Sequence, residues 1–211
     1  MEDRTNIGAG PGHWNAVHER RPPEQLTWYQ RDPRMSLEFI RRAGVDHSDR
    51  LVDVGGGSSR LCDELIGSGF TDVTVIDISH TALAHVETRV GDRGEHLKLV
   101  EADVGEFRSS TRFDLWHDRA VFHFLLDEAD KGRYIDSLTA NLADHGHVVM
   151  ATFGLEGPDM CSGLPVQRYD ADSLAATLGE RYAPVAFDEE LHGTPTGGTQ
   201  PFLYGLFRRT S

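Results

Sequence analysis

A glycine-rich turn at residues 55–59 constrains the fold of this chain more than any other feature. It follows an apolar run, and the stretch from Leu51 to Ser59 reads Leu-Val-Asp-Val-Gly-Gly-Gly-Ser-Ser. A strand that leads through glycines into a helix is typical of nucleotide-binding α/β folds. As a dinucleotide fingerprint the stretch is incomplete, because the third glycine would fall on Arg60. Asp53 would also repel a pyrophosphate, whereas it favours a cationic amine.

Two more acidic residues follow the next predicted strands. The β-branched run at 73–76 ends at Asp77, 24 positions after Asp53. An acid at that distance is the one that holds a ribose, since a carboxylate accepts from two hydroxyls at once. The alternative is that Asp77 caps the following helix, but Ser79 can cap that helix itself. A third acid, Asp103, taken alone would be a solvated loop residue. Three acids after three successive strands favour one ligand site.

The pattern Asp53-x-Gly55-x-Gly57-x-Ser59 resembles the first motif of the class I S-adenosylmethionine-dependent methyltransferases. The resemblance spans about residues 35–208 and implies a Rossmann-like three-layer α/β sandwich. Its mostly parallel seven-stranded sheet would have a reversed last strand. The implied cofactor is S-adenosyl-L-methionine, with Asp103 at the adenine amino group and the Val104 backbone amide at a ring nitrogen. The other cofactor-binding residues are Asp53, Gly55, Gly57 and Ser59 at the methionine end and Asp77 and Ile78 at the ribose.

Composition narrows the range of partners. The 211 residues are 38% hydrophobic and 26% charged, which is typical of a single globular α/β domain. A net charge of −13 argues against nucleic acid as a partner. The sequence shows no long apolar span and no secretion leader, so it predicts neither a membrane protein nor a secreted one. Cys62 and Cys161 form no disulfide framework, which suits the cytoplasm. The sequence does not indicate an oligomeric state.

Alternating apolar periodicities predict the order of the elements. A helix at 170–178 precedes two strands at 182–191 and 201–208 that would pair antiparallel. The remaining predicted strands are 51–54, 73–77, 97–100, 113–117 and 147–153, and the remaining predicted helices are 35–43, 59–68, 79–90, 119–126 and 129–142.

Residues 1–34 are predicted to form an N-terminal flap, partly mobile at its start, and residues 35–211 the methyltransferase domain. The flap has too many aromatic residues for a free linker and too many prolines for one long helix. Trp14, Trp28 and Tyr29 would exclude water from a sulfonium site. Trp28 is therefore predicted to contact the cofactor.

The segment from Phe113 to Leu125 is predicted to carry the catalytic groups. If the fourth strand ends near residue 117, then His117, Asp118 and Arg119 lie at the rim of the sheet. Asp118 would border the transfer site, and Arg119 would orient the cofactor carboxylate or an anionic acceptor. Either His117 or His123 could accept the proton of the acceptor. For each histidine, packing in the core is an equally weighted alternative.

The sequence supports transfer of a methyl group to nitrogen, oxygen or sulfur of a small molecule. A protein lysine acceptor is the alternative, because Asp118-Arg119 resembles the Asp-Lys-Gly-Thr segment of one lysine methyltransferase family, although Ala120-Val121 replace Gly-Thr. More remote alternatives are an NAD-dependent oxidoreductase and a non-catalytic cofactor-binding module. Cys161 could contact the substrate or a metalloid, or simply pack in the core. Its spacing to His192 and the other histidines matches no metal signature, so no metal is predicted.

Overall fold

The computed structural model of the protein describes residues 9–210. The predicted mobility of the chain start concerns residues 1–8, which lie outside this range. The helices are α1 (Pro11–Arg20), α2 (Arg34–Ala43), α3 (Leu61–Gly67), α4 (His80–Val90), α5 (Glu128–Asn141) and α6 (Ala171–Leu178). The strands are β1 (Arg50–Val54), β2 (Asp72–Asp77), β3 (Leu97–Glu101), β4 (Phe113–Arg119), β5 (Leu142–Phe153), β6 (Met160–Cys161), β7 (Leu164–Pro165), β8 (Tyr182–Gly193) and β9 (Thr199–Arg209).

Seven of the strands form one sheet in the order β3-β2-β1-β4-β5-β9-β8. Strands β1 to β5 are parallel, whereas β9 runs antiparallel to both β5 and β8. The predicted Rossmann-like sheet with a reversed last strand is therefore confirmed. The strand order changes direction between β1 and β4, and in open α/β sheets ligands bind beside the carboxyl ends of the strands at such a point.

The sheet is covered on both faces, so its central strands are buried from both sides. One apolar cluster packs Trp116 of β4 against Tyr134 and Leu138 of α5. The other packs Leu51 of β1 against Phe39 of α2 and Leu61 of α3. Because β4 lies between the two clusters, its neighbouring side chains point into opposite layers.

The predicted helix at 119–126 is wrong. Strand β4 continues to Arg119, and a single 3-10 turn at Phe122–Phe124 follows it. The reason is local: the Asp118 carboxylate accepts from the Val121 N–H at 3.0 Å and from the Phe122 N–H at 3.3 Å, which closes a tight turn. Ala120 at φ 70° cannot continue a right-handed helix.

The N-terminal segment packs on the sheet domain through α1 and α4. Asn15 Oδ1 accepts from the Ser79 hydroxyl at 2.7 Å, and Ser79 caps α4 by accepting from the Ala82 N–H. This contact fixes α1 above the carboxyl end of β2. The division into a flap of residues 1–34 and a domain of residues 35–211 stays a prediction. Among residues 9–210, no helix has the length and apolar character that would let it cross a bilayer.

Candidate functional site

Two cavities meet at the carboxyl ends of β1, β2 and β4. The larger has a volume of about 860 Å³, and the smaller has about 480 Å³. Trp28, Gly55, Ser58 and Arg119 line both. Of the sequence-predicted residues, Asp77, Ile78, Asp103 and Val104 line the larger cavity, and Asp53, Ser59 and His117 line the smaller one.

The glycine loop brings the backbone close to these cavities. Gly55 adopts φ 64°, and a Cβ there would overlap the Val121 side chain. A Cβ on Gly57 would overlap Ala82 and lie 2.5 Å from Asp77 Oδ2. Gly57 does not line either cavity, but its N–H donates to Asp77 at 3.0 Å. The loop therefore positions the carboxylate at the end of β2.

Asp77 has the geometry of a bidentate acceptor. Its two oxygens accept from the N–H groups of Gly57 at 3.0 Å and Ser79 at 2.8 Å. Each carboxylate oxygen keeps a second lone pair, so the group can still accept from two neighbouring hydroxyls. Burial raises the pKa of Asp77 to about 6. Asp103 is also buried at the cavity and accepts from the Gly105 N–H at 2.8 Å.

Asp53 presents a carboxylate oxygen without a partner. It is 3% exposed, and its Oδ1 lies 2.7 Å from His117 Nδ1. Asp53 and His117 are register partners on β1 and β4, so both point to the same face of the sheet. His117 Nε2 lies 2.9 Å from the Ser36 hydroxyl, which fixes the ring. Within residues 9–210 the Asp53 Oδ2 has no hydrogen-bond partner, so it is available to a cation.

Arg119 supplies the opposite charge in the same smaller cavity. Its Nε donates to the Tyr204 hydroxyl and its Nη1 to the Trp28 carbonyl, both at 2.9 Å. The guanidinium lies 4.1 Å above the centre of the Phe202 ring. Its Nη2 is 3.7 Å from Glu190 Oε2 and has no hydrogen-bond partner in the described part of the chain. A buried carboxylate oxygen and a buried guanidinium nitrogen, each without a hydrogen-bond partner among the described residues, suit the ammonium and carboxylate of an α-amino acid.

The structure does not bring Asp118 and His123 to the cavities. Asp118 is fully buried on the α5 side of β4, where it accepts from the Tyr134 hydroxyl at 2.5 Å. Since His117 faces the α2 side, its neighbour Asp118 must face the other layer. His123 is also fully buried, and its Nδ1 accepts from the Phe153 N–H at 3.4 Å. Burial lowers the pKa of His123 to about 3, so the ring stays neutral.

Sequence reasoning missed His18 on α1. The ring lines the larger cavity, and its Nδ1 is 3.0 Å from the Ser58 hydroxyl. Burial, with a smaller contribution from nearby His85, lowers the pKa of His18 to about 4. One signal was present in the sequence: His18 comes four residues after Trp14, so the two share a face of a helix. Ser36 and Glu190 gave no such signal.

Cys161 lines the larger cavity, and burial raises the pKa of its thiol to about 11. The thiol is therefore protonated at neutral pH. His192 makes a separate contact, in which its Nε2 lies 2.9 Å from the Thr27 carbonyl oxygen. Over residues 9–210, no three His, Cys, Asp or Glu side chains group in a way that could hold a metal ion.

Comparison with known proteins finds similarity to methyltransferases. A family model described as a methyltransferase domain matches residues 52–148. The eEF1A lysine and N-terminal methyltransferase of Danio rerio is 26% identical over 149 residues, which cover 68% of this chain and 21% of that protein. Its counterpart from Mus musculus is 22% identical, over 62% of this chain and 19% of that protein. The chain thus spans about a fifth of the length of these relatives.

Solved structures share the fold over nearly the whole chain. The N-methyltransferase NodS from Bradyrhizobium japonicum WM9, in complex with S-adenosyl-L-homocysteine, has a TM-score of 0.71 at 18% identity. That match covers 93% of this chain and 98% of NodS. The 1,6-didemethyltoxoflavin-N1-methyltransferase from Burkholderia thailandensis has a TM-score of 0.70 at 21% identity and covers 100% and 98% of the two chains.

Proposed function

We propose that this chain, a member of the class I S-adenosylmethionine-dependent methyltransferase superfamily, methylates a nitrogen, oxygen or sulfur atom of a small-molecule acceptor. Its cofactor is S-adenosyl-L-methionine, which supplies an electrophilic methyl group on a cationic sulfur when bound. The acceptor class is the proposed part. The observation that carries it is the aromatic-walled cavity that α1 covers beside the glycine loop.

The unused groups of the smaller cavity fit the methionine end of this cofactor. Asp53 Oδ2 would bind the ammonium group, and Arg119 Nη2 would bind the carboxylate. Asp77 would accept from the ribose hydroxyls, with Ile78 beside it, while Asp103 and Val104 would hold the adenine. NAD has no α-amino acid group, so the pair Asp53 and Arg119 favours S-adenosylmethionine over it.

Aromatic side chains enclose the larger cavity. The Trp14 ring lies 5.1 Å from the Phe124 ring and 6.2 Å from the Trp28 ring, measured between centroids. All three line the cavity with Val121 and Leu125. Such a wall excludes water and presents aromatic faces to a cationic sulfur. It also suits a compact, partly apolar acceptor.

The chain contributes mainly positioning to methyl transfer. Holding two reactants in line supplies a large share of the rate enhancement when the electrophile is already activated. Asp118 and His123 are buried behind the cavity wall, so they serve the fold rather than the acceptor. His117 is held between Asp53 and Ser36 and positions the Asp53 carboxylate. The acceptor therefore needs a lone pair that is available at neutral pH.

A small-molecule acceptor is favoured by one of the structural matches. The two N-methyltransferase structures align with 93% and 100% of this chain, and the second of them holds a bound small molecule, 1,6-didemethyltoxoflavin. A protein lysine is the second candidate acceptor. The names of the curated relatives favour it, and the charge of −13 would attract a basic protein.

Fractionation of labelled products tests the acceptor class. We expect methyl-labelled S-adenosylmethionine, incubated with the enzyme and a cell extract, to label the fraction that passes a small-pore filter. An Asp53→Asn variant serves as the control for enzyme-independent transfer. Label that appears only in the protein fraction, at lysine, would contradict the proposal and support the second candidate.

Cofactor affinity should depend on pH through Asp77. The carboxyl group has a pKa of about 6, and only its ionised form accepts from two hydroxyls. We expect the affinity for S-adenosylhomocysteine to be constant above about pH 7 and to fall towards tenfold per pH unit below pH 6. Calorimetry from pH 5 to 8 measures this dependence. In Asp77→Asn the profile should be flat and weak, whereas an unchanged slope would assign the titration to another group.

A further inference from the structure

A third cavity, of about 710 Å³, adjoins the cofactor site at Trp28. Trp28 lines all three cavities, so the third cavity lies next to the other two. Cys161 lines the larger cavity, and the next residues, Ser162 and Gly163, line the third. A molecule in the third cavity would therefore extend towards the cofactor along Trp28.

The lining of the third cavity combines cationic and apolar residues. Arg20 and Arg21, at the end of α1, supply the positive charge. Leu26 and Trp28 supply the apolar surface. A ligand that matches this lining combines an anionic group with an aromatic or aliphatic body.

The two arginines are available to an anion. Both are exposed, and in the described part of the chain neither side chain forms an ion pair or a hydrogen bond. Arg20 stands in the last turn of α1, where a cation also stabilises the helix dipole. Arg21 lies beyond that turn, in extended backbone at φ −140°, so the dipole does not account for it.

The net negative charge of the protein makes anion binding depend on local cations such as Arg20 and Arg21. With a net charge of −13, the protein repels small anions at long range. An anion enters such a surface only where nearby cations outweigh that field. Two arginines that line one cavity can do so, because each guanidinium binds a carboxylate or phosphate through a planar pair of N–H donors.

We propose that the methyl acceptor carries an anionic group, a carboxylate or a phosphate, which Arg20 and Arg21 bind in the third cavity. The apolar body of the acceptor lies against Leu26 and Trp28, and its nucleophilic atom reaches past Trp28 to the methyl group. This inference rests on the proposed small-molecule acceptor and specifies its class. It predicts that neutral analogues of the same shape are poor substrates.

Direct binding tests the inference without knowledge of the natural acceptor. Enzyme saturated with S-adenosylhomocysteine is titrated by NMR with benzoate, phenyl phosphate and benzamide. We expect one or both anions to bind at least about tenfold more tightly than benzamide, as a charge-assisted contact implies. The better anion identifies the acceptor group. The variant Arg20→Gln/Arg21→Gln should bind the anions as weakly as benzamide and keep its affinity for S-adenosylhomocysteine.

The control variant is Arg31→Gln/Arg181→Gln, which removes the same charge from exposed arginines outside the cavities. It should bind benzoate like the wild type. Turnover of 3-aminobenzoate is then compared with turnover of 3-aminobenzamide. In Arg20→Gln/Arg21→Gln, kcat/KM should fall for 3-aminobenzoate and stay unchanged for 3-aminobenzamide. Equal binding of benzoate and benzamide, or an equal loss in both double variants, overturns the inference and leaves the proposed function intact. Label found only in protein in the fractionation experiment overturns both.

Discussion

Replacing Asp53 with asparagine is expected to weaken the binding of S-adenosylmethionine and S-adenosylhomocysteine by at least about 100-fold. The carboxylate is 3% exposed and its Oδ2 has no partner among the described residues, so its charge is available to the ammonium group of the ligand. Truncating one partner of a buried charged pair typically costs about 2–5 kcal/mol of binding free energy. Asparagine keeps the shape and can still accept from His117, so the fold should persist. Calorimetry with S-adenosylhomocysteine measures the loss.

Glu101→Gln is the matched control for this variant. Glu101 ends β3 at the same edge of the sheet, is exposed and lines none of the three cavities. Its replacement removes one negative charge without touching the site, so the affinity should stay within about twofold, because exposed charges are largely screened. If Asp53→Asn bound as tightly as Glu101→Gln, the ammonium would lie elsewhere.

The variant Gly57→Ala should lose both stability and cofactor binding. A methyl group there would overlap Ala82 and approach Asp77 Oδ2 to 2.5 Å, so the loop or the carboxylate must move. Forcing a methyl group into a packed site costs about 1–3 kcal/mol. The displaced Asp77 would lose the Gly57 N–H and could no longer face the ribose. We expect a lower melting temperature and no measurable S-adenosylhomocysteine binding at concentrations that saturate the wild type.

Gly67→Ala separates the local clash from a general effect of alanine. Gly67 is the last residue of α3, and a Cβ there meets no atom within 4 Å. Alanine in a helix should leave the free energy of unfolding unchanged or raise it by up to about 1 kcal/mol. If Gly57→Ala kept the wild-type cofactor affinity, the loop would tolerate the methyl group, and the predicted clash with Ala82 and Asp77 would be wrong.

The fold was predictable because its signals are local in the sequence. Asp53, Gly55 and Gly57 lie within one strand and turn, and the β-branched run that ends at Asp77 defines the next strand. The helix predicted at 119–126 is wrong because a side-chain contact, rather than the hydrophobic pattern, decides the local structure. Its apolar residues suit a helix, but the Asp118 carboxylate closes a 3-10 turn instead. No hydrophobic pattern reveals which way that carboxylate points.

The site was predictable only where one strand carries it. His117 and Asp118 look alike as buried polar neighbours in β4, since the strand is covered on both faces. Only register distinguishes them: His117 pairs with Asp53, and Asp118 pairs with Val54 and faces the other layer. The partners of Arg119 come from β8, β9 and the N-terminal segment, 71 to 91 positions away in the sequence. Contacts between such distant segments leave no trace in a single sequence.

Arg119 links the cofactor cavities to the N-terminal segment. The same guanidinium donates to the Trp28 backbone carbonyl through Nη1, and its buried Nη2 has no hydrogen-bond partner among the described residues. A ligand that leaves past Trp28 must therefore disturb a segment that Arg119 also anchors. We therefore expect the residence time of the demethylated cofactor and the opening of this segment to be one kinetic event. When such an event is slower than chemistry, it sets kcat, so variants that loosen the anchor would exchange the nucleoside faster and hold it less tightly.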